Sequence, residues 1–149
     1  MDNRTKKEAY LFGSFFFLAN KLQMKGDEFL GDENGMTLRQ WFLTVMILQF
    51  DKHKPTLGEV AKLMGTSHQN TKQLANKLKE NGFLTFQKDE KDGRVLRLCL
   101  TEKSDAYWKG REKDGNHFIH HLFGDVSDEE MQTTMNVFEK LLTTLEGWD

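Results

Sequence analysis

Five times along this chain, just ahead of an apolar stretch, a Ser or Thr is followed, three residues later, by Glu or Gln: Thr5 and Glu8, Thr37 and Gln40, Thr56 and Glu59, Thr66 and Gln69, Ser127 and Glu130. In that spacing the hydroxyl and the acid or amide each satisfy a backbone N–H that the first turn of a helix leaves open. One match carries little weight. Five, each ahead of an apolar period of helical spacing, restrict the chain to a mainly helical fold. Thr101 adds a sixth N-cap without the box.

The helices expected from these starts are Lys6–Met24, Leu38–Phe50, Leu57–Met64, a helix from Thr66 or Ser67 to Asn81, Thr101–Phe123 and Ser127–Leu145. The first is apolar nearly all round: Tyr10, Leu11, Phe12, Phe15, Phe16, Phe17, Leu18 and Leu22. A helix with no polar face needs cover on more than one side, so a second subunit is expected to supply part of it. Lys25–Met36, with three Gly and four acids, reads as a mobile loop with Phe29 and Leu30 tucked in. In the second helix Leu38, Trp41, Phe42, Val45, Met46 and Ile47 are expected to be buried. The last carries Met131, Met135, Phe138, Leu141, Leu142 and Leu145.

The middle of the chain is more specific. Leu57, Val60, Ala61 and Met64 share one face of a short helix, and Gly65 supplies the positive φ of a sharp exit. The next helix confines its apolar residues to Leu74, Ala75 and Leu78, while its front carries His68, Gln69, Asn70, Lys72 and Gln73. An anchored back half and a hydrogen-bonding front end are what a helix-turn-helix offers to a DNA major groove. Gly82 ends that helix. Phe83–Lys88 and Val95–Leu100 read as strands of a hairpin tipped by Asp89–Arg94, where Asp92-Gly93 favours a tight turn. Leu96, Leu98 and Leu100 share one face of the second strand; Val95, Arg97 and Cys99 share the other.

Composition enters as a boundary. With 149 residues, 38% hydrophobic and 30% charged, the chain has the makings of one globular domain. The net charge of −2 argues against a polyanion partner, but its distribution argues for one. Ser67 to Arg97 holds seven cationic side chains (Lys72, Lys77, Lys79, Lys88, Lys91, Arg94, Arg97) against four acids. Asp125 to Asp149 holds seven acids against Lys140 alone. The single Cys99 excludes an internal disulfide framework and a cysteine zinc module, and is expected to be structural. The apolar run Ala9–Ala19 spans eleven residues, short of the roughly 20 that cross a bilayer, and no cleavage site follows it. The expectation is a cytoplasmic protein without a membrane partner.

Order and residues together resemble the MarR family of bacterial transcriptional regulators. The resemblance covers essentially the whole chain and is most specific from Pro55 to Lys103. There PTLGEVAKLMGTSHQNTKQLANKLKENGFL is similar to the family's helix-turn-helix, and DEKDGRVLRLCLTEK to its wing. Asp92-x-Arg94, ahead of a strand ending in Leu100-Thr101, is the most diagnostic piece. Two positions depart: Ser104 stands where the family often has glycine, and Gly93 where a second basic residue is common.

The resemblance implies one MarR-like domain, mainly α with a small β-wing. Residues 37–100 would form the winged helix-turn-helix, with 1–24 and 101–149 as dimerisation helices. It implies a homodimer that binds a pseudo-palindromic operator in double-stranded DNA, represses, and is released by a small-molecule effector. The wing arginine, Arg94, would enter the minor groove. Asn and Gln side chains pair with adenine, and Lys and His donate to guanine or phosphate, so Ser67, His68, Gln69, Asn70, Lys72 and Gln73 are candidate contacts. Thr71 points inward. Asn76 and Lys77 would reach phosphates, while Lys88, Lys91 and Arg97 would act electrostatically. The family's effector pocket makes Phe12, Phe15, Phe16, Trp41, Phe42 and Trp108 candidate lining residues.

His117 and His121 are four apart and share a helix face, as paired imidazole ligands do. Spacing forces no third ligand on them or on His120, so the expectation is no metal and no cofactor. No nucleophile–base pair or phosphate loop points to an enzyme. Other readings left open are a winged helix used for protein–protein contact and a metal-responsive regulator of the same fold.

Overall fold

The computed structural model describes residues 1–31 and 35–148. Eight elements follow in order: α1 (Asn3–Leu30), α2 (Leu38–Leu48), α3 (Leu57–Met64), α4 (His68–Glu80), β1 (Leu84–Lys88), β2 (Leu96–Leu100), α5 (Glu102–Leu122) and α6 (Asp128–Glu146). They fall into two compact units, Met1–Ala106 and Tyr107–Asp149, with the break inside α5.

Three of the five capping boxes form in full, at Thr37/Gln40, Thr56/Glu59 and Ser127/Glu130. The other two do not. Asp2, not Thr5, caps α1, its carboxylate accepting from the Thr5 amide at 2.9 Å, while Glu8 pairs with Arg4. Ser67, not Thr66, caps α4, and the Thr66 hydroxyl instead accepts from the Asn70 side-chain amide.

The largest correction concerns α1. It begins three residues before Lys6 and runs on through Lys25 to Leu30, where a loop is expected. Gly26 explains the difference. A Cβ there would lie 2.7–2.9 Å from the Leu38 side chain, so this glycine serves close helix approach, not a turn. The joint is completed by the Leu38 amide donating to Asp27 Oδ1 at 2.7 Å and by Arg39 donating to Gln23. Leu30 is buried, whereas Phe29 is exposed. Gly31, Gly35 and Met36 lie outside any helix, as expected, and residues 32–34 of the expected loop lie outside the described residues.

The buried stripe of α2 agrees with the expected one at Ile47, while Leu38, Trp41, Val45 and Met46 are only half-buried. Gln40, Leu43, Thr44 and Ile47 face inward, and Phe42 is 41% exposed. Two polar residues belong to that stripe because Thr44 returns its hydroxyl to the Trp41 carbonyl and Gln40 closes the capping box. Pro55, Val60, Ala61, Thr71, Ala75, Leu78, Phe83, Leu84, Leu98 and Cys99 are also buried in the winged helix-turn-helix.

β1 and β2 pair antiparallel with Leu84 opposite Leu100 and Lys88 opposite Leu96. On its other edge β2 meets the chain ahead of α3: the Leu98 amide donates to the Pro55 carbonyl at 2.8 Å, and Thr56 bridges to Arg97. The second unit consists of the body of α5, which continues through Gly110 and Gly115, and α6. Apolar side chains stand exposed on α1 (Tyr10 at 74%, Phe12, Phe16, Phe17 at 69%) and on α6 (Met135, Phe138, Leu142, Leu145).

Candidate nucleic-acid interface

α3 ends at Gly65 in the left-handed region (φ 70°), whose amide returns to Ala61 and Lys62 carbonyls. The chain reverses and α4 starts within two residues, with the Ser67 hydroxyl accepting from the Asn70 amide at 3.1 Å. Thr71, Ala75 and Leu78 form the inward face of α4; Thr71 is 0% exposed and its hydroxyl is satisfied by the Ser67 carbonyl. With that face fixed, Gln69, Lys72, Gln73 and Asn76 fall on the outer face at i, i+3, i+4 and i+7 spacing. Ser67, His68 and Asn70 are exposed at the front turn. Asn70 is held there by its side-chain amide, which donates to the Thr66 hydroxyl at 2.9 Å. Lys77 sits one turn further and pairs loosely with Glu80 at 3.4 Å.

The far end of α4 is tied down by contacts that spacing alone does not reveal. Lys103 Nζ donates to the Asn81 carbonyl and lies 4.5 Å from the Phe83 ring centre. The Thr101 hydroxyl donates to the Gly82 carbonyl at 2.6 Å, and the Thr101 amide to Phe83. The first turn of α5 therefore closes the carbonyl end of α4, where free acceptors favour cationic partners.

At the wing, the expected turn at Asp92-Gly93 forms, closed by the Val95 amide on the Asp92 carbonyl at 3.0 Å, but within a longer loop and not as a two-residue hairpin connection. Gly93 is not at positive φ, and seven residues, Asp89–Val95, connect the strands. Asp89 makes that longer loop regular: its Oδ2 accepts the Lys91 and Asp92 amides at 3.2 and 3.0 Å, the local bonding that lets an aspartate replace a backbone turn. Val95 donates to the Asp92 carbonyl and Asp89 to that of Val95. Arg94 projects from the loop with 92% of its side chain exposed, oriented by Asp92 at 3.1 and 3.4 Å. Its guanidinium, and then its backbone amide, hold the Asp92 carboxyl below the usual range. Lys88 and Lys91 are exposed on either side.

Arg97 differs from the other cations. Its Nε lies 2.7 Å from Asp89 Oδ1, and its Nη1 donates to the Lys54 carbonyl at 2.7 Å and stands 3.9 Å from Glu59 Oε1. Arg97, followed by the Asp92 amide, lowers the Asp89 pKa; His53, followed by the Thr56 amide, lowers that of Glu59.

The aromatic set named for an effector is spread along the chain. Phe12 and Phe16 pack edge to face at 5.3 Å between ring centres on the exposed side of α1, with Phe15 beside them. Trp41 is half-buried and Phe42 exposed on α2, and Trp108 is half-buried on α5. His117 and His121 stack with ring centres 6.5 Å apart, and among the described residues no group of three His, Cys, Asp or Glu side chains is placed to hold a metal. Cys99 is buried. No helix among the described residues is long and apolar enough to cross a membrane.

A polar, amide-rich helix face carries groups that hydrogen-bond base edges, and an exposed arginine carries one that meets phosphates. Comparison with known proteins points the same way. Residues 34–95 match the MarR family. The chain is 24% identical over 106 residues to the transcriptional repressor MprA of Escherichia coli, covering 70% of this chain and 60% of that one. It thus spans about 60% of the length of that relative, less than two thirds. It is 23% identical over 141 residues to the transcriptional activatory protein BadR of Rhodopseudomonas palustris, covering 93% and 80%. The fold is that of Sco3205, a MarR family transcriptional regulator from Streptomyces coelicolor solved in complex with DNA, at a TM-score of 0.81 and 16% identity over 93% of this chain and 91% of that one.

Proposed function

We propose, from the premise that residues 34–95 make this a MarR-family chain, that it is a sequence-specific DNA-binding transcriptional regulator acting as a homodimer on a pseudo-palindromic operator. Residues 37–100 would be the reading part, and 1–24 with 101–149 the dimerising part. The observation that carries this is the division of α4: Thr71, Ala75 and Leu78 are buried, while Ser67, His68, Gln69, Asn70, Lys72 and Gln73 are presented together at its exposed front. We assign those six to the major groove and Arg94 to the minor groove. Lys77, Lys88 and Lys91 are assigned to phosphates.

Exposed aromatic side chains on α1 and exposed Met, Phe and Leu on α6 support the dimer, because a run of that size left in water marks an interface. Repression fits the name of MprA and activation that of BadR; we favour repression, with release by a small molecule that prefers a dimer whose two reading helices no longer match successive major grooves. Cytoplasmic location is part of the same reading.

The test is enrichment of a duplex of about 30 base pairs from a random pool, followed by affinity measurement across salt. A direct operator binder loses affinity steeply as salt rises, and Arg94→Ala weakens it at every salt concentration. Enrichment of no duplex, or binding indifferent to both salt and Arg94, overturns the proposal in favour of a protein-binding winged helix.

A further inference from the structure

We infer that Arg97 and Asp89 are positioning residues, which fix the wing against the start of α3 so that Arg94 is presented at a set place relative to α4. This rests on the DNA-binding reading above and gives Arg97 a role inside the protein in place of the electrostatic one expected from its charge.

The contacts form one continuous path. His53 Nε2 lies 2.8 Å from Glu59 Oε2, and Glu59 Oε1 accepts the Thr56 amide within the capping box of α3. Glu59 Oε1 also faces Arg97 Nη1 at 3.9 Å, and that same nitrogen donates to the Lys54 carbonyl. The guanidinium then reaches across to Asp89 Oδ1, whose partner oxygen holds the Lys91 and Asp92 amides. One side chain, 30% exposed, therefore ties the approach to α3, the α3 cap and the root of the wing loop together.

A two-stranded hairpin is marginal by itself, and the loop that carries Arg94 reaches well into solvent. Its direction is set at its root, and there the side-chain path runs through Arg97. The planar fork of an arginine serves a carboxylate and a carbonyl at once, which a lysine ammonium does not reproduce. The backbone bonds at Leu98 and Thr56 bring β2 to α3, and the Arg97–Asp89 pair carries that fixation out to the tip.

The sign of one substitution separates positioning from simple charge. Asp89→Asn removes a negative charge from a surface facing a polyanion, so a bystander Asp89 would give tighter binding; a positioning Asp89 gives weaker binding. Arg97→Lys keeps the charge and loses the fork. With the enriched duplex and thermally intact variants, each substitution is expected to weaken binding about tenfold. Arg94→Ala should then cost less on the Asp89→Asn background than in the natural sequence.

Unchanged or tighter binding by Asp89→Asn, or natural affinity in Arg97→Lys, overturns the inference. Amide exchange at Lys91 and Asp92 in the protein alone gives a second readout: faster exchange in both variants supports the tie, and unchanged exchange overturns it. If no duplex is enriched, the DNA reading fails by itself, and amide exchange still decides whether Arg97 and Asp89 hold the wing.

Discussion

Arg94 and Arg97 lie on the same hairpin, yet one guanidinium faces solvent and the other is enclosed by an acid, a carbonyl and a second acid. A charge count treats them alike; only the partners distinguish them. Arg94→Ala is accordingly expected to weaken duplex binding and to lower the salt slope by about one phosphate contact, measured by titration at several salt concentrations. Ser104 makes a separate prediction. It is fully buried, and its hydroxyl has no hydrogen-bond partner among the described residues; a buried hydroxyl without a partner is a cost to the fold. Ser104→Ala should be neutral or stabilising by about 1 kcal/mol in a thermal or urea melt. A marked loss of stability would show that the hydroxyl is in fact satisfied.

At the scale of elements, the wing and the start of α3 share a set of carboxylates held below their ordinary range: Asp89 by Arg97, Asp92 by Arg94, Glu59 by His53. A carboxyl whose pKa is lower in the folded chain stabilises the fold above its unfolded value, near 4. That contribution is lost as pH falls through the lower, folded value. The melting temperature should therefore drop as pH is taken below about 4, and Asp89→Asn should flatten that drop. The α1–α2 joint gives another test. Gly26→Val would force a branched side chain into Leu38 and should cost about 1–3 kcal/mol by urea melt.

These elements also show where sequence was informative and where it was not. Thr37, Thr56 and Ser127 announce their helices because capping chemistry is local. The outward front of α4 was legible for the same reason: Leu74, Ala75 and Leu78 leave only one way to roll the helix. Gly26 misleads because a glycine looks identical whether it serves a turn or a close approach of two helices. The Lys103–Asn81 and Arg97–Lys54 contacts join residues 22 and 43 positions apart; such pairings come from tertiary packing, which a periodic pattern does not encode. Gln40 and Thr44 belong to the core because their bonds close locally, and hydropathy does not register that.

At the scale of the whole molecule, the proposed dimer makes one demand before any DNA is added. The protein should elute and scatter light as twice the 17.4 kDa of one chain. Phe16→Glu combined with Phe17→Glu, which puts charge on the exposed side of α1, should shift it toward the single-chain mass. A single-chain mass in the natural sequence would remove the two-fold reader and leave a lone winged helix.

The measurement closest to the central claim is the affinity of the purified protein for its own enriched duplex as salt is raised from about 50 to 200 mM. If the front of α4 and Arg94 meet bases and phosphates as assigned, log affinity falls linearly with log salt, with a slope of several. A scrambled duplex of equal length then binds at least about a thousandfold more weakly. Equal affinity for both duplexes, or no dependence on salt, would contradict the account.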